Sequence, residues 1–192
     1  PNPYYTADVA KECMEKIFLP TINAMKAEGR KFRGCLYFGL MITEKGPKVI
    51  EYNCRFGDPE TQVVLPLLKS DLLEIMQAVE DERLADVNVE FSDGAACCVV
   101  IASKGYPQKY ETGFEVTEGK LPENATVFHA GTKLFENRIV TSGGRVLGVT
   151  ATDENLVKAF AEAYNAVKFV HFDNEYYRKD IGKKALDKLA DN

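Results

Sequence analysis

An α+β fold in two domains is what this sequence predicts, and three observations predict it. Apolar residues recur at helical spacing from Asp8 to about Glu28. Two apolar runs, 35–43 and 47–53, flank the turn-forming Glu44-Lys45-Gly46-Pro47, as a β-hairpin requires. Beyond the charged stretch 80–93 (EDERLADVNVEFSD) the pattern becomes one of short strands and turns, which divides the chain into domains of 1–93 and 94–192.

Composition limits what such a chain does. Its 192 residues are 45% hydrophobic and 28% charged, enough for a sizeable core. A net charge of -5 without a basic block argues against nucleic acid as a partner. No apolar run approaches the ~20 residues of a membrane span, so no membrane partner is expected. The five cysteines, at 13, 35, 54, 97 and 98, form no Cys-x-x-Cys pair and read as reduced thiols of a cytoplasmic protein. The chain opens on Pro1-Asn2-Pro3 without a methionine, which reads as processing or as a fragment.

The elements follow in order. Val9, Cys13, Ile17, Ile22 and Met25 mark the first helix; Pro20 kinks it or splits it in two, and Gly29 closes it. Gly39 interrupts the first hairpin strand, where it permits a close approach or marks a bulge. In the second strand Val49, Glu51 and Asn53 alternate to one face, and Lys48, Ile50 and Tyr52 to the other. Asp58 then reads as a helix cap, with Pro59 in the first helical position and Glu60 in the first turn. Residues 59–69 continue as a helix bent by Pro66. Ser70 caps the next one, from Asp71 to about Glu82, with Leu72, Leu73, Met76 and Val79 as its buried stripe.

The second domain begins with a buried strand at 95–101 (AACCVVI). Further strands are expected at 114–116, 126–130, 132–135, 138–141 and 145–151, with turns at Glu136-Asn137 and Ser142-Gly143-Gly144. Asp153 reads as the start of a helix carrying Leu156, Phe160, Tyr164 and Val167 on one face. A strand near Tyr176-Tyr177-Arg178 and a short helix from Lys183 finish the chain.

Chemistry concentrates at the end of the second hairpin strand. Glu51 and Asn53 put two oxygen-bearing side chains side by side, roughly 6.5–7 Å apart along the strand. That suits magnesium or manganese, hard cations that take few protein ligands and leave positions for phosphate oxygens. Arg55 follows as a fixed charge able to grip an oxyanion with two donors. A helix start at Asp58-Pro59 would add its positive end. Each residue alone also has an ordinary reading, as a solvated strand end or a cap.

The run Glu51-Tyr52-Asn53-Cys54-Arg55-Phe56-Gly57-Asp58-Pro59-Glu60-Thr61-Gln62 resembles the metal-binding strand of ATP-grasp ligases. Among these it is most similar to the glycinamide ribonucleotide synthetases. Blocks 102–107 (ASKGYP), 128–132 (FHAGT), 143–147 (GGRVL) and 177–182 (YRKDIG) are similar to the same family, in its order. The resemblance implies the C-terminal half of an ATP-grasp domain followed by a small strand-rich α+β domain. It implies a carbon–nitrogen ligase of purine biosynthesis joining 5-phosphoribosylamine to glycine at the expense of ATP. Glu51 and Asn53 would bind the metal and, with Arg55, the nucleotide phosphates; Arg55 would stabilise the transferring phosphoryl group and Asp58 would hold the glycine ammonium. The family's N-terminal domain and lid have no counterpart here, so the chain by itself is expected to be inactive and to need the remainder of the same enzyme. Many ATP-grasp enzymes carry a further acid on the preceding strand, where this sequence reads Tyr37-Phe38-Gly39. A second metal would then share Glu51 or be held from elsewhere. The alternatives are another ATP-grasp ligase of purine metabolism, or a binding module without catalysis. His129, Arg145 and Arg178 are assigned no catalytic role.

Overall fold

Helical structure begins at Thr6, whose hydroxyl accepts from the Val9 amide and caps α1 (Ala7–Cys13). A π-helical turn, Met14–Phe18, leads without a break into α2 (Leu19–Ala27). Pro20 thus neither splits nor ends the helix. It lacks the amide that would bond one turn back, and the wider π turn just before it accommodates the loss. The Thr21 hydroxyl donates to the Ile17 carbonyl at 2.7 Å. Gly29, at φ +71°, closes the helix, with Arg30 N donating to Met25 O.

The computed structural model describes residues 2–190. They form two compact units: one takes the chain up to Asp58 together with Leu68–Phe91, the other Pro59–Leu67 together with the chain from Ser92.

In the first unit, β1 (Tyr37–Thr43) and β2 (Gly46–Asn53) form an antiparallel hairpin about the two-residue turn Glu44-Lys45. Its register contains one irregularity, and it decides which side chains share a face. Gly39 pairs with Glu51 and Leu40 with Val49, so Ile50 is an extra residue that bulges out of β2. A one-residue slip exchanges faces. Val49 therefore sits in register with Leu40, opposite to the expected grouping with Glu51 and Asn53. Phe38 and Tyr52 pair across the other face, where Phe18 stacks on Phe38 with ring centroids 4.5 Å apart. The hairpin thus turns one apolar face to the helix and keeps Glu51 and Asn53 off it.

α4 (Leu72–Glu80) is capped by Asp71, whose carboxylate accepts from the amides of Leu73 and Glu74 at 2.7 and 3.1 Å. Ser70, the expected cap, instead ties down the 88–90 loop, donating to Asn88 O and accepting from Glu90 N. The buried stripe also differs from the expected one: Ala78 is buried and Leu72, Ile75 and Val79 half-buried, while Leu73 and Met76 are 63% and 49% exposed. Lys31 and Arg33 both pair with Glu82 just beyond this helix.

The second unit opens with α3 (Thr61–Val64), which passes into a 3₁₀ turn, Leu65–Leu67, that absorbs Pro66. The later elements are β3 (Ala95–Ser103), β4 (Thr117–Glu118), β5 (Ala125–His129), β6 (Thr132–Phe135), β7 (Arg138–Thr141), β8 (Arg145–Asp153), α5 (Leu156–Val167), β9 (Val170–His171), β10 (Glu175–Tyr176) and α6 (Lys183–Ala190). The main sheet is antiparallel in the order β10-β3-β8-β5, with β4-β9 and β6-β7 as separate pairs. Val99, Ile101, Val149 and Ala151 of the sheet meet Ala159, Ala163 and Ala166 of α5, all essentially inaccessible. Three alanines on one helical face let the helix lie close against the sheet. On the other face the Gln62 side chain of α3 lies over Gly148. Burial pushes the Cys97 thiol up to about 11, which leaves it an inert core group.

Two expectations are corrected here. Residues 114–116 form only an isolated bridge, Glu115 to Val140, because the paired segment is Thr117–Glu118 on the short β9, which the apolar pattern did not reveal. Asp153 ends β8 rather than starting a helix. α5 is capped two residues later by Asn155, whose side chain accepts from Lys158 N at 3.0 Å.

Gly131, just past β5, packs tightly on the backbone leading into β8. A Cβ there would stand 2.5 Å from Arg145 O and 2.8 Å from Gly143 Cα, both backbone atoms that cannot swing aside. Gly131→Ala is expected to destabilise this unit by about 1–3 kcal/mol, read from its unfolding midpoint. An unchanged midpoint would mean this contact relaxes freely.

Candidate metal and phosphate site

The end of β2 presents the predicted pair together. The Asn53 amide donates to Glu51 Oε1 at 3.2 Å, and the cross-strand partners are Tyr37 and Gly39 respectively. Glu51 is exposed and Asn53 half-buried. Both donors are hard oxygens once the amide turns its Oδ1 outward, a half-turn about its last torsion. They fit a divalent cation that takes its remaining ligands from phosphate and water. Among the described residues no group of three or more His, Cys, Asp or Glu side chains is placed to hold a metal.

Arg55 lies exposed just past the strand and donates through Nη1 to Phe56 O at 2.7 Å. That bond orients the guanidinium through one of its five donors and leaves the fork's other edge. Arg55→Lys keeps the charge and loses the planar fork. Turnover is expected to fall roughly 10-fold or more, if the fork spans two phosphate oxygens. Kinetics equal to the parent's would reduce Arg55 to a general positive charge.

Asp58 stands two residues ahead of the cap position of the following helix. α3 begins at Thr61 with Glu60 in the cap position, and the first turn closes through Gln62 N to Pro59 O and Val64 N to Glu60 O. The segment 58–60 is a turn, because Pro59 starts the bend two residues ahead of regular helix. With only four residues before the 3₁₀ turn, α3 has little dipole to offer an anion. Asp58 is an exposed carboxylate three residues beyond Arg55.

The second unit brings together blocks that look unconnected in sequence. Ser103 donates through its amide to Gly144 O and through its hydroxyl to Gly143 O, at 2.8 and 3.0 Å. Ser142 N donates to Gly131 O and Gly131 N to Arg145 O. The Tyr106 ring lies against Gly144, where a Cβ would meet it at 2.1 Å. Residues 102–107, 130–132 and 142–145 therefore form one knot of backbone at an end of the main sheet; their glycines were the only signal of it. His129 pairs with Glu118 at 2.9 Å and Thr132 at 3.2 Å. Arg178 forks onto Asp180, with two bonds of 2.9 and 2.8 Å, and holds that carboxyl below its usual range. An open polar hollow of about 570 Å³ lies among Lys104, Thr117, His171 and Asn174. Its walls come from separated segments, so no local pattern announces it.

Comparison with known proteins agrees over both units. Residues 1–61 match the model of the phosphoribosylglycinamide synthetase ATP-grasp (A) domain, and residues 96–184 that of the phosphoribosylglycinamide synthetase C domain. The chain is 47% identical over 181 residues to a phosphoribosylamine–glycine ligase of Caldanaerobacter subterraneus, covering 94% of this chain and 43% of that protein. It is 49% identical to the corresponding ligase of Clostridium acetobutylicum, covering 95% and 44%. The crystal structure of phosphoribosylamine–glycine ligase from Thermotoga maritima superposes with a TM-score of 0.77 at 35% identity, over 92% of this chain and 44% of that one. A biotin carboxylase from Campylobacter jejuni, solved with β,γ-ATP, shares the fold at 16% identity and a TM-score of 0.62, over 100% and 43%. The chain spans less than half the length of the ligases it matches.

Proposed function

Because the chain belongs to the phosphoribosylglycinamide synthetase family, as part of an ATP-grasp domain followed by the family's C domain, we propose that it carries the metal- and phosphate-binding strand of a cytoplasmic ligase joining 5-phosphoribosylamine to glycine. The observation that supports this most is the adjacency of Glu51 and Asn53 at the end of β2, with Arg55 two residues on.

A glycine carboxylate oxygen attacks the γ-phosphorus of ATP and ADP leaves, giving glycyl phosphate. The phosphoribosylamine nitrogen then attacks the acyl carbon, loses a proton and displaces phosphate. Glu51 and Asn53 would hold magnesium or manganese, which when bound neutralises charge on the β- and γ-phosphate oxygens. The Arg55 guanidinium faces the charge that builds on the transferring phosphoryl oxygens. Asp58 supplies a carboxylate to hold the glycine ammonium. The bulge at Ile50 puts Val49 on the face of Leu40 and leaves Glu51 and Asn53 on the opposite one.

The test is ADP release by the protein at its relatives' full length, in magnesium-ATP. Release that requires both glycine and phosphoribosylamine is expected, and release independent of either would overturn the proposal. The 192-residue stretch alone is expected to release none, since one layer of a nucleotide site neither encloses the base nor excludes water.

A further inference from the structure

The geometry points to Gly39 as the residue that positions the Glu51 carboxylate for metal: its missing side chain is the space Glu51 occupies. This rests on the metal reading of Glu51 given above. Glycine within a strand is unfavourable, because it packs nothing and loses more chain entropy than alanine. A backbone requirement for left-handed φ would excuse it, but Gly39 is not among the glycines of positive φ. Crowding by backbone would excuse it too. Yet the three atoms nearest to an added Cβ all belong to Glu51: Cγ at 2.8 Å, N at 3.6 Å and Cδ at 3.7 Å.

The two residues are direct partners across the hairpin, one step from the bulge. In an antiparallel pair, partner side chains stand on the same face and ordinarily lean on one another. Here one partner is absent, and the Glu51 stem fills its place. A methyl group at 39 would collide with Cγ, in the middle of the side chain rather than at its free end. Relief requires a different first torsion, which carries the carboxylate away from the Asn53 amide that it now meets at 3.2 Å. The strand itself would lose nothing. Gly39 therefore acts on the metal only through Glu51, as a positioning residue.

The inference separates two properties that a structural glycine would move together. Gly39→Ala in the full-length protein is expected to melt at or above the parent's temperature. Its affinity for Mn2+ with a non-hydrolysable ATP analogue, read by electron paramagnetic resonance, is expected to fall roughly 10–100-fold, the range for groups that orient metal ligands. Leu40→Ala, next along β1 on the other face, should leave Mn2+ binding unchanged. Parent-like Mn2+ affinity in Gly39→Ala, while Glu51→Gln has lost it, would overturn the inference and spare the metal reading. Parent-like affinity in Glu51→Gln would overturn the metal reading itself. A Gly39→Ala protein that fails to fold would also overturn the inference, since the glycine would then serve the strand.

Discussion

Glu51→Gln, made in the full-length protein, is expected to lower magnesium-ATP-dependent turnover by about two orders of magnitude or more, with Asn53→Ala close behind. The amide that replaces the carboxylate keeps its size and one oxygen but loses the charge that holds a divalent cation. Both side chains project from a strand end, Glu51 exposed and Asn53 half-buried, and neither joins a core cluster. The accompanying loss of stability should therefore stay within ~1 kcal/mol. Measuring turnover beside the unfolding midpoint separates the two effects. Normal turnover in Glu51→Gln would end the metal assignment, whereas lost turnover together with a collapsed midpoint would show a folding defect instead.

Ile101→Ala is expected to be the most damaging single truncation in the second unit, by about 2–5 kcal/mol. Ile101 is wholly inaccessible on β3, the strand between β8 and β10, and belongs to the cluster that the sheet forms with α5. Its removal leaves a void between elements already close-packed through alanines, which have no longer side chain with which to fill it. Leu134→Ala is the matched comparison, since Leu134 is 72% exposed on β6 and its loss should change stability by less than ~0.5 kcal/mol. Equal midpoints for the two variants would contradict the packing described here.

The elements that were legible share one property: their signal is local. The first helix, the hairpin, the buried strand at β3 and the α5 face through Leu156, Phe160, Tyr164 and Val167 all announce themselves by period within a few turns. The errors fell where two local signals competed. Ser70 and Asp71 are both good caps, and only the 88–90 loop, which claims the Ser70 hydroxyl, leaves the role to Asp71. Asp153 and Asn155 likewise both suit a cap, and pairing of Asp153 with Ala95 at the end of β8 decides between them.

By itself the sequence determined the family and the candidate site. Glu51, Asn53 and Arg55 are named by residue type and spacing, and the order of the blocks names the family. What only the tertiary structure decided is geometry across strands. Alternation along one strand cannot register an extra residue, so the bulge at Ile50 and the transfer of Val49 to the other face appear only when β1 is laid beside β2. The same pairing sets Gly39 opposite Glu51, and the packing of the segment after β5 on the one before β8 sets Gly131 on Gly143. A glycine in sequence states only that something approaches closely; what approaches it is settled by contacts between segments far apart in the chain.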